Sequence, residues 1–145
     1  MSAPSREFKL FVYGSLLPGE PNHHLLESAE ALGAATTPPE YYLVELNACA
    51  ALVHGGSLQV QGEVFRVDTD ILRRIDLHRE HPVLFQRQRI RLSQGELVES
   101  YLMALDQVRG RRRLKVGDWR QRFGALPTER QSPWARWARQ RWVKA

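Results

Sequence analysis

The sequence predicts a small α+β domain, a β-rich body of about six strands with two short helices. Three observations lead there. Runs rich in β-branched and aromatic residues recur between glycine- and proline-containing turns, and helical spacing of apolar residues is confined to brief stretches. The 145 residues, 43% of them hydrophobic, suffice for one core.

Residues 8–12, Phe-Lys-Leu-Phe-Val, are the first expected strand, which breaks into the small-residue loop Tyr13-Gly14-Ser15-Leu16-Leu17-Pro18-Gly19. A Gly-Ser step directly after a buried strand lets backbone approach a ligand closely, so the active site is expected here. Asn22 to Ala29 suits a short helix with Asn22 as its N-cap. Residues 31–36 and 41–46 read as strands around the turn Thr37-Pro38-Pro39-Glu40, and the alanine-rich 47–53 fits either a loop or a short strand. After the turn 54–57, residues 58–67 alternate as a strand does. Asp68 or Thr69 can cap a helix in which Ile71, Leu72 and Ile75 share a face, with its stop at Pro82. Residues 85–92 alternate again, and Ser93-Gln94-Gly95-Glu96 turns them into 97–105 as an antiparallel hairpin.

The net charge of +5 hides an asymmetry: residues 1–108 carry 9 Lys+Arg against 14 Asp+Glu, residues 109–145 carry 12 against 2. Residues 1–7 read as a disordered lead-in, 8–122 as the domain, and 123–145 as a basic extension. In the extension, Ser132 and Pro133 open a helix with Trp134, Trp137 and Ala138 on one stripe. Two readings fit it. Arginine contacts and tryptophan stacking suit nucleic acid, whereas a helix docked by its tryptophans on the body or on a partner subunit, as in a homodimer, is the plainer reading and is preferred. A single cysteine, Cys49, excludes an internal disulfide, and no leader or membrane-spanning run is visible, so a soluble cytoplasmic protein is expected.

Taken in order, Tyr13-Gly14-Ser15-Leu16, Gly19, Asn22-His23-His24-Leu25-Leu26, Gly62-Glu63-Val64-Phe65, Ile75-Asp76, His81-Pro82, Phe85, Arg87 and Gly117-Asp118-Trp119-Arg120 resemble the γ-glutamylcyclotransferase superfamily. These small mixed barrels include γ-glutamylamine cyclotransferases and plant avirulence-induced-gene-like proteins. The resemblance implies a γ-glutamyl amide as substrate, 5-oxoproline and a released amine as products, and no cofactor. The α-amine attacks the γ-carbonyl within one molecule, so holding the chain folded removes much of the barrier. Unpaired N–H groups at the strand end would bind the substrate carboxylate or the developing oxyanion, and a carboxylate would carry a proton from the α-ammonium to the leaving nitrogen. Tyr13, Gly14, Ser15, Leu16, Phe85 and Tyr101 are the implied substrate-binding residues.

The family's catalytic glutamate sits three residues before the motif's proline, which here is Arg79, and the usual following glycine is Glu80. At a helix end a one-residue shift turns a side chain by about 100°. Glu80 therefore has two readings, a relocated base or a solvated charge, and Arg79 suits a clamp for carboxylate or phosphate because it stays protonated. Phe85 stands where the family usually has tyrosine. Asp76 reads as a structural partner for backbone or arginine, and the facing of Glu63 is left open. His23, His24, His78 and His81 lack an acidic or cysteine partner for a metal site, and Cys49 reads as a small buried hydrophobe. If the base is lost, the fold serves changed chemistry or a non-catalytic binding module.

Overall fold

The computed structural model describes residues 6–121. Its seven strands are β1 (Glu7–Val12), β2 (Glu30–Thr36), β3 (Tyr41–Glu45), β4 (Ala50–His54), β5 (Gln61–Asp68), β6 (Gln86–Arg91) and β7 (Leu97–Leu102), with one helix, α1 (Thr69–His78), between β5 and β6. They form one mixed sheet in the order β2-β5-β1-β7-β4-β3, and β6 pairs with β7. The expected extension helix lies outside the described residues.

The centre of the sheet is unusual at β7. Along one edge it pairs antiparallel with β6 from Arg91↔Leu97 to Gln86↔Leu102. The other edge is shared by two parallel neighbours: Leu10 of β1 opposes Glu99, and Leu52 of β4 opposes Leu102. Where β1 stops at Val12, β4 takes over, and the loop that follows β1 lies at this changeover.

The sheet does not close into the expected barrel. Residues 37–41 follow segment 58–60, with Thr37 N–H donating to Val60 O at 2.9 Å and one bridge between Tyr41 and Leu58. Between them stand Pro38 and Pro39, which have no N–H to give, so the ladder is broken there. The turn 37–40 thus separates β2 and β3 to opposite ends of the strand order. The expected boundary at 58 moves to Gln61, and β4 answers the question left open by the alanine-rich stretch.

Helix α1 begins as the sequence predicts: Asp68 accepts the Ile71 N–H at 2.8 Å, and Ile71, Leu72 and Ile75 are buried. Each such aliphatic contributes about 1.5–3 kcal/mol of burial. The helix ends at His78, with Arg79 as C-cap donating its N–H to Ile75 O at 2.8 Å. The Asn22 expectation fails. Residues 23–26 form a 3-10 turn, and Asn22 makes no side-chain cap because its amide is drawn to Ser15.

Two glycines of the motif set are explained by close backbone approach. A Cβ on Gly62 would lie 2.2 Å from Val12 O and 2.7 Å from the Phe11 ring. One on Gly117 would lie 1.8 Å from Gln59 O, where Gln61 N–H donates to Gly117 O at 2.9 Å.

Candidate functional site

The loop after β1 is held by its first side chain. The Tyr13 hydroxyl donates to Tyr101 O at 2.6 Å and accepts the Leu52 N–H at 2.9 Å, so it bridges β7 and β4 at the changeover. Burial pushes this phenol well above its usual range, against the opposing pull of the Arg79 charge. Gly14 adopts φ +63, and Gly14, Ser15 and Leu16 are all buried. Within the loop the Leu16 N–H donates to Tyr13 O at 3.4 Å and the Leu17 N–H to Gly14 O at 3.1 Å.

Ser15 joins three distant parts of the chain. Its Oγ accepts from Asn22 Nδ2 at 2.7 Å and from Arg79 Nη2 at 3.2 Å, while its carbonyl accepts the Asn22 N–H at 2.9 Å. A hydroxyl has two acceptor positions. With both filled, its own hydrogen is a donor.

Arg79 is only 4% exposed. Its guanidinium lies 5.1 Å from the centre of the buried Phe85 ring and bonds Ser15 Oγ, and no described carboxylate is in ion-pairing distance. The C-terminal end of α1 partly offsets its charge. Arg87 is treated otherwise. It pairs with both Asp76 oxygens at 3.0 and 3.2 Å and with Glu99 at 3.3 Å.

The other expected site residues divide. Tyr101 is buried, its hydroxyl donating to Asp76 at 2.5 Å, and burial first and Asp76 second raise its ionisation far above the usual range. Asp76 is thus the structural partner of an arginine, as expected. Glu80 is exposed, with φ 53, the left-handed backbone that favours glycine. His23 Nδ1 lies 2.8 Å from Leu16 O, and His81 Nδ1 accepts the Arg87 N–H at 3.0 Å. Among the described residues no His/Cys/Asp/Glu group is arranged to hold a metal. Cys49 is half-buried against the core. Glu63 lines a separate cleft of about 390 Å³ with Leu17, Thr36, Gly62 and Arg120, which includes neither Ser15 nor Arg79. Sequence reasoning missed Asn22 as a site residue; the only signal was its place in the motif after the loop.

The site is thus a buried turn at the end of β1 with the Arg79 cation against it, on an α+β sheet. The chain belongs to the γ-glutamyl cyclotransferase, AIG2-like family, whose model matches residues 10–121. It is 41% identical over 92 residues to γ-glutamylaminecyclotransferase C of Danio rerio, covering 57% of this chain and 60% of that one. The γ-glutamylcyclotransferase family protein YtfP of Escherichia coli is 31% identical, with 77% of this chain and 95% of that one covered. A uropathogenic E. coli-specific protein of known crystal structure shares the fold with a TM-score of 0.71 at 20% identity, covering 83% and 98% of the two chains. Among the described residues no helix is long and apolar enough to cross a membrane.

Proposed function

We propose that the protein binds a small γ-glutamyl amide at the Tyr13–Leu16 loop and closes it to 5-oxoproline with release of an amine. The observation that supports this is the buried turn at the end of β1, where Ser15 meets the Arg79 guanidinium, which has no carboxylate in ion-pairing distance among the described residues. A substrate carboxylate or developing oxyanion meets that cation without its having to reorganise.

The bond from the α-nitrogen to the γ-carbon forms, the γ-carbon to amide-nitrogen bond breaks, and of the three protons of the α-ammonium one stays on the lactam nitrogen while two pass to the leaving nitrogen, which departs as an ammonium. Arg79 cannot serve as that carrier, because a guanidinium does not deprotonate at ordinary pH. The role falls to Glu80, which supplies the only carboxylate of the turn 79–85. Phe85 and Tyr101 back the site from beneath, the one under the Arg79 guanidinium and the other through Tyr13. Incubation with γ-glutamyl amines is expected to release 5-oxoproline, and Glu80→Gln is expected to lower kcat by about 10²–10⁴-fold. Turnover unchanged in Glu80→Gln removes Glu80 as the carrier.

Arg79 at the family's base position supports a second reading, a binding module without turnover. Its signature is a melting temperature raised by γ-glutamyl compounds in a protein that forms no 5-oxoproline from any of them.

A further inference from the structure

We propose that Arg79 is an anion-binding residue, its guanidinium acting with the Ser15 hydroxyl to hold the carboxylate of the bound molecule. The proposal rests on the preceding reading for where the molecule sits, and adds which residue selects it.

A guanidinium has five N–H donors; Arg79 as a residue is buried, and the one hydrogen-bond acceptor of its side chain among the described residues is Ser15 Oγ at 3.2 Å. Burying a cation without a carboxylate is costly. The same chain shows the alternative at Arg87, which has Asp76 in a fork and Glu99 besides. Asp76, on the same helix as the Arg79 cap, is occupied by Arg87 and by the Tyr101 hydroxyl, so it does not serve Arg79.

The surroundings repeat the sign. Ser15 Oγ takes two hydrogen bonds and has its own hydrogen left to donate. The Ser15 hydroxyl and the remaining N–H groups of the Arg79 side chain are all donors. A lone donor in a loop would be unremarkable, but a buried fork of donors beside a hydroxyl is complementary to an oxygen anion, and to planar carboxylate above all. Burial keeps water from competing and strengthens each contact.

The test uses 5-oxoproline and pyrrolidin-2-one, the same ring without its carboxylate, with inorganic phosphate as a second anion. Titration calorimetry on the full chain is expected to give binding of 5-oxoproline, none of pyrrolidin-2-one, and affinity at least tenfold weaker in Arg79→Met and Arg79→Gln, with Arg79→Lys between. Without ligand, Arg79→Met is expected to melt no lower than the parent, because an unpaired buried charge has been removed; an arginine serving only structure would lower it. The proposal is overturned by no binding of 5-oxoproline, by equal binding of pyrrolidin-2-one, or by unchanged affinity in the variants. Arg79-dependent binding of phosphate alone overturns the carboxylate assignment. If Arg79→Met fails to fold, Arg79→Lys and Arg79→Gln decide by the same affinities. Turnover of γ-glutamyl amides with an unaltered KM in these variants sinks this proposal alone, whereas Arg79-dependent 5-oxoproline binding without turnover sinks only the catalytic reading.

Discussion

At the scale of single residues, Tyr13 does more than its place in a motif suggests. Its hydroxyl occupies a position between β4 and β7 that a peptide group would otherwise fill, so Tyr13→Phe leaves a buried N–H and a buried carbonyl unpaired. A loss of about 2–4 kcal/mol is expected in urea unfolding. The raised phenol ionisation adds a pH signature with a definite sign. Unfolded tyrosine ionises near about pH 10 while folded Tyr13 keeps its proton, so the unfolded state binds fewer protons above that pH. Stability is therefore full below about pH 10 and falls as pH rises beyond it, and Tyr13→Phe should flatten part of that fall. Glu80 is a second residue-scale case. Its φ of 53 is one that glycine adopts freely, so Glu80→Gly should raise stability by up to about 1 kcal/mol while removing the proposed proton carrier. A rise in melting temperature together with a loss of 5-oxoproline release would separate the two roles.

At the scale of elements, glycine spacing sets where strands can meet. Gly62 lets β1 end over β5, so Gly62→Ala is expected to cost about 1–3 kcal/mol or more by pushing Val12 and the Phe11 ring away. Circular dichroism melts would show this as a lowered midpoint with the sheet signal kept; an unchanged midpoint would mean that β1 shifts freely. How much was legible in the sequence follows the same logic. Helix α1 was readable because one face is buried and the residue pattern records it, and the β6–β7 hairpin because the turn Ser93-Gln94-Gly95-Glu96 marks where its two strands fold back. Strand β4 was ambiguous because its first four residues are all buried, which erases alternation. Failure of the barrel to close was written in Pro38-Pro39, yet only pairing with 58–60 gives those prolines their meaning. The signature loop could be found from residue types alone, but its meeting with Arg79 spans 64 positions of sequence, and no local pattern encodes such a contact.

At the scale of the whole molecule, the last described segment returns to the first loop. Trp119 is buried and its Nε1 donates to Glu20 at 3.1 Å, while the Arg120 guanidinium donates to Pro18 O. Trp119→Ala is expected to cost about 3–5 kcal/mol. If the segment positions the loop as well as the core, KM for a γ-glutamyl amide should rise in whatever fraction remains folded, whereas a purely packing role would leave KM unchanged. The bridge at the changeover has a further consequence for motion. The Leu52 amide proton is bonded to the Tyr13 hydroxyl, not to a neighbouring strand, so its hydrogen–deuterium exchange registers each departure of the loop from the sheet. Exchange at Leu52 that matches the slowest core amides would mean that loop and sheet open only together, in one cooperative unit. Faster exchange there than in β1 would time an opening of the loop that the sheet does not share.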